Sequence, residues 1–81
     1  MKVTVLTDDY IRSFLNIKDA REWLKRYCFF PDDERDPIQT WAEIYRTDVY
    51  NNFEGFAYET WRLENEKMVK MGEKPVVQMR N

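Results

Sequence analysis

From Ile38 to Met71, apolar residues keep returning to one side of a helix. Ile38, Trp41, Ala42, Tyr45, Val49, Phe53, Phe56, Leu63 and Met71 share one direction to within about ±60°, taking about 100° per residue. No other pattern covers so much of the 81-residue chain. It predicts one long helix over 37–71, or two helical segments meeting near 51–55, where Asn51, Asn52 and Gly55 weaken the run. Asp36-Pro37-Ile38-Gln39 suits its start, with Asp as N-cap and Pro in the first turn. Gly72 and Pro75 suit its end.

The rest of the chain supplies shorter pieces. Residues 2–6 alternate as a strand, with Val3 and Val5 on one side. Thr7-Asp8-Asp9 reads as a helix start, and Tyr10, Ile11, Phe14 and Leu15 give a short helix over 8–15. Asn16, followed by Asp19 three residues later, opens a second helix over 16–28. Its apolar face holds Ile17, Ala20, Leu24, Tyr27 and Cys28, bordered by Trp23. Phe29-Phe30-Pro31 ends it, because the residue before proline avoids the α region. Residues 31–36 form an acidic loop, and Val76–Met79 is a second strand candidate. The expected fold is therefore α+β and mostly helical. It has three to four helices, a short N-terminal strand and a C-terminal strand pairing with it, in one small domain over 1–81.

The residue inventory narrows the chemistry. There is no histidine, so Ser-His-Asp and Cys-His nucleophiles have no base. A lone cysteine, Cys28, allows no internal disulfide and no Cys/His zinc site, and an apolar neighbourhood makes it an inert buried thiol. Two glycines cannot build a phosphate-cradling loop. No carboxylate pair stands out at a spacing that makes a cleft, and no enzyme activity, cofactor or metal is expected. Asp32, Asp33, Glu34 and Asp36 bring four acids into the loop without the spacing or the Gly of a calcium loop. No apolar run reaches the length of a membrane span, and Met1–Leu6 is too short for a signal peptide. The free thiol points to a reducing, cytoplasmic setting. The initial Met and the lack of a tag read as a complete short open reading frame. A net charge of −2 favours neither a nucleic-acid binder nor a polyanionic mimic.

Function is expected on the aromatic residues. Thirteen Phe, Tyr and Trp stand against fourteen Leu, Ile and Val. On the predicted long helix a second stripe holds Tyr50, Ala57, Trp61 and Met68, and a third holds Ile44, Tyr58 and Val69. One helix of so small a monomer rarely buries all its sides. Tyr50, Tyr58, Trp61, Met68 and Ile44 are therefore the candidate partner-binding residues of a non-catalytic protein–protein interaction module. The acidic loop would steer the partner. In size, acidity and aromatic content the chain is similar to compact accessory proteins of phages and mobile elements, which inhibit or adapt a host protein. Two alternatives use other surfaces. One is a nucleic-acid-binding regulator using Lys18, Arg21, Lys25 and Arg26 beside Trp23 and Tyr27. The other is a self-associating structural protein, a homodimer through Tyr50, Trp61 and Met68.

Overall fold

Val3 and Val5 turn the same side of the first strand inward, and both are completely buried. In the computed structural model, which describes residues 1–47 and 57–71, that strand is β1 (Val3–Leu6). It lies inside an antiparallel five-stranded sheet with β2 (Ile11–Phe14), β3 (Trp41–Arg46), β4 (Glu59–Glu64) and β5 (Lys67–Lys70), in the order β2-β1-β3-β4-β5. Between β2 and β3 the chain forms its helix, which packs against β1 and β2.

The helix follows the sequence reading at both ends. Asn16 is the N-cap and its side-chain oxygen accepts from the Asp19 backbone N–H at 2.8 Å, satisfying one orphan donor. Seven residues of α-helix, α1 (Ile17–Trp23), run directly into six of π-helix, Leu24–Phe29. The change of hydrogen bonding from i+4 to i+5 alters which side chains face the sheet. Ala20, Leu24, Cys28 and Phe29 are buried, whereas Tyr27, expected on the buried face, is 54% exposed.

The core lies between this helix and one face of the sheet: Val3, Val5, Ala42 and Ile44 meet Ala20, Leu24, Cys28 and Phe29. Each large apolar side chain enclosed there contributes about 1.5–3 kcal/mol. Trp61, Leu63 and Met68 extend the same face across β4 and β5. On the opposite face, the Thr4 hydroxyl bonds both Ser13 Oγ at 2.8 Å and Thr47 Oγ1 at 2.7 Å, linking β2, β1 and the end of β3.

The mostly helical fold is thus overturned, and the description "helical" with it: strands dominate and the described residues hold one helix. Residues 8–15 are not a helix. Thr7 Oγ1 accepts from the Asp9 and Tyr10 backbone N–H groups at 3.3 and 3.0 Å, which turns the chain back so that Leu6 faces Ile11. Residues 37–71 are not a long helix either. Asp36-Pro37-Ile38-Gln39 leads into β3 rather than into a helix. β3 alternates Ala42 and Ile44 inward, and β4 alternates Glu59, Trp61 and Leu63 inward. β4 and β5 are joined by Asn65-Glu66, both at positive φ (52° and 63°), the geometry of a tight two-residue hairpin turn. The proposed break near 51–55, Gly72 and the strand candidate 76–79 lie outside the described residues. β1, however, has both edges occupied, by β2 and β3, which leaves no place for a C-terminal strand beside it.

Candidate functional site

Among the described residues, strand pairing leaves β2 at one edge of the sheet. Antiparallel partners alternate between pairs that exchange backbone hydrogen bonds and pairs that do not. Thr47 N–H donates to the Lys2 carbonyl at 3.0 Å, which sets β1 so that Thr4 and Leu6 bond to β3 while Val3 and Val5 bond to β2. Thr7 N–H donating to the Tyr10 carbonyl at 2.9 Å gives the same alternation from the turn. Arg12 and Phe14 therefore spend their backbone groups on β1, and Ile11 and Ser13 direct theirs away from the sheet.

Next to that edge runs a groove floored by the helix. One part, about 400 Å³, is lined by Arg12, Phe14, Asp19, Glu22, Trp23, Arg26 and Tyr27. A second, about 300 Å³, shares Arg12, Trp23 and Tyr27 and adds Tyr10, Ile11 and Asp36. The Trp23 ring sits between the Tyr10 ring, edge-on at 5.7 Å, and the Phe14 ring at 5.4 Å. The Arg12 guanidinium lies over Phe14 at 5.2 Å and over Trp23 at 5.6 Å, within cation–π range. Burial, chiefly, pushes the Tyr10 hydroxyl above its ordinary pKa, with Asp36 adding to it. The π-helical turn bears directly on this groove, because it swings Tyr27 out of the core and onto the rim.

The Tyr10 turn is held by a buried amide. The Gln39 side chain donates to Asp9 Oδ2 at 2.7 Å and accepts from the Asp9 backbone N–H at 3.3 Å. Its own backbone N–H donates to the Cys28 carbonyl at 2.8 Å. This one residue ties the hairpin turn, the helix end and the approach to β3 together.

The sequence-predicted partner residues do not form one surface. Ile44 is enclosed in the core, and Trp61 and Met68 are half-buried against it. Trp61 Nε1–H donates to Glu59 Oε1 at 2.8 Å. Tyr58 is 42% exposed, and Tyr50 lies outside the described residues. Since Ile44, Trp61 and Met68 sit on strands and Tyr58 directly precedes one, these residues do not form an aromatic helix face.

The basic helix residues are divided. Arg21 is ion-paired through two contacts with Glu59, and Arg26 pairs with Glu22 at 3.5 Å, while Lys18 and Lys25 are exposed. In the acidic loop Arg35 grips Asp33 through Nε at 3.1 Å and a terminal nitrogen at 2.8 Å, which holds the Asp33 carboxyl below its ordinary pKa. Asp32, Glu34 and Asp36 are exposed around it, and no cluster among the described residues has three side chains placed to hold a metal ion. Burial pushes the Cys28 thiol up to about 12.

Sequence reasoning missed Tyr10, Arg12 and Phe14 because it put them on a helix. Ile11-Arg12-Ser13-Phe14 does not alternate cleanly, and the turn before it has no glycine to mark a hairpin. Asp8-Asp9 after the alternating run Val3–Leu6 was the usable signal, since such residues favour turns as well as helix starts. No family model, curated protein or solved structure matches the chain. No helix among the described residues is long and apolar enough to cross a membrane.

Proposed function

We propose that this protein is a non-catalytic interaction module that takes an extended segment of a partner protein as an added strand on the outer edge of β2. One observation carries the reading: the edge that bears the outward backbone groups of Ile11 and Ser13 lies beside an open groove where Phe14, Trp23 and Tyr27 stand among the charged Arg12, Asp19, Glu22 and Arg26. Strand addition draws affinity from main-chain bonds and selectivity from pockets that take alternate side chains. Backbone bonds alone do not suffice. About four of them at about 1 kcal/mol each reach only about millimolar affinity, so side chains seated against Trp23 and Tyr27 must supply the rest. Arg12 in the middle of so short an edge works against indiscriminate pairing. A partner whose own strand is captured this way is inhibited or tethered, which fits an accessory role. The free, buried Cys28 supports a cytoplasmic setting for it.

The test is selection from a displayed library of random linear peptides, followed by amide-resolved NMR with the winners. Protection of the Ile11 and Ser13 amides and a change in Trp23 emission are expected. Ser13→Pro removes an outward N–H and leaves the backbone bonds to β1 in place, but it also removes the Ser13 hydroxyl bond to Thr4, so it should abolish binding in a folded protein while Ser13→Ala, which loses only that hydroxyl bond, still binds. Tyr27→Ala, on an exposed rim residue, serves as an independent weakening variant. Selected peptides that shift other regions and leave β2 untouched would refute the reading.

A further inference from the structure

We propose that the strand received at β2 carries a carboxylate side chain opposite Arg12 and an apolar side chain two residues away, opposite Phe14. The inference rests on the strand-addition reading and specifies its ligand. Arg21, Arg26 and Arg35 each hold a carboxylate of this chain, Glu59, Glu22 and Asp33 respectively. Arg12 holds none among the described residues. Its exposed guanidinium lies over the Phe14 and Trp23 rings at 5.2 and 5.6 Å. A carboxylate in the guanidinium plane can accept two of its N–H donors at once.

Register places the acid there. Arg12 and Phe14 bond inward to β1, so towards an incoming antiparallel strand they occupy the non-hydrogen-bonded positions. At those positions facing side chains come closest, with Cα atoms about 4.5 Å apart. Alternate residues of the incoming strand then point to the helix side, one to Arg12 and the next to Phe14 and the Trp23 edge. The groove acids do not cancel the effect. Glu22 is engaged by Arg26, and Asp19 is held at the helix N-terminus by the Asn16 side-chain amide at 3.2 Å. Asp36 lies at the Tyr10 end and disfavours a second acid there, which confines the preference to one position.

The experiment uses short capped peptides identical except at one position, Glu, Gln or Lys, with Leu two residues on. Binding is read from the amide shifts of Ile11 and Ser13. The Glu peptide should bind about five- to twentyfold tighter than the Gln peptide, and the Lys peptide weakest. Arg12→Glu should invert the order, and Arg12→Gln should flatten it. Equal binding of Glu and Gln peptides at the β2 amides, or an order unchanged in Arg12→Glu, overturns the acid preference and leaves strand addition standing. Binding of all three peptides with no response at Ile11 and Ser13 overturns strand addition itself, and this inference with it.

Discussion

Replacing Arg21 by Met should destabilise the fold by about 2–3 kcal/mol. Glu59 explains why. It sits on the inner face of β4 with its side chain 2% exposed, a carboxylate under the helix. Isolated, it would cost several kcal/mol to bury. Burial alone drives its pKa up. Hydrogen bonds from Arg21 and Trp61, together with the charges of Arg21 and of Lys70 at 3.8 Å, outweigh that and hold it below the ordinary carboxylate value. Breaking a fully buried ion pair costs about 3–5 kcal/mol. The estimate is lower here because the Arg21 side chain is 42% exposed and screened by water, and because Trp61 and Lys70 remain. In a domain of this size about 2–3 kcal/mol corresponds to roughly 10–20 °C in Tm. Urea unfolding at neutral pH, with an unchanged denaturant slope, is the measurement. The pH dependence follows with a definite sign. A carboxylate whose folded pKa is lowered stabilises above its unfolded pKa and loses that contribution as pH falls through the folded value. The gap between wild type and Arg21→Met should therefore be full at neutral pH and close as pH falls below the ordinary carboxylate range. The double variant Arg21→Met/Glu59→Leu should regain most of the loss, since apolar replacements of a buried pair are often neutral or better. A single variant within about 0.5 kcal/mol of wild type, or a gap that widens in acid, would refute the account.

Two further outcomes are expected. Glu66→Gly should raise stability by about 0.5–1 kcal/mol, read as a higher urea midpoint, because Glu66 holds φ at 63° in the β4–β5 turn, a region where a Cβ is unfavourable and Gly is at ease. Cys28 should resist a maleimide or disulfide reagent in native protein near pH 8 and react at once in denaturant. Its burial pushes the thiol up to about 12, leaving almost no thiolate, and rapid native labelling would contradict the enclosed position.

Local signals were sufficient where a segment carries its own boundary chemistry. Val3–Leu6 alternates and is a strand, and the helix begins at the Asn16 cap and ends before Pro31. The acids of 32–36 are indeed in a loop, and Cys28 is buried. The candidate groove was legible only on its helix side, where Trp23 and Tyr27 stand beside basic residues.

The C-terminal half shows the limit. Trp41, Ala42 and Tyr45 satisfy a helical spacing, while Ala42 and Ile44 satisfy an alternating one, so a short apolar run does not decide the period by itself. Wound as one helix, 37–71 carries three apolar stripes. That excess marks a wrong period: two-residue alternation, wound at about 100° per residue, scatters the inner face of a sheet around a cylinder. Trp41, Ile44, Tyr45 and Thr47, four of the seven residues in 41–47, already leaned towards a strand there. What settled the matter lies far apart in the chain: Thr4 bonded to Thr47, Arg21 to Glu59, Gln39 to Asp9. Segment boundaries with their own caps and turns are written locally. A strand's hydrogen bonds and its inner face belong to distant neighbours, and only the assembled sheet places β2 at an edge beside the helix.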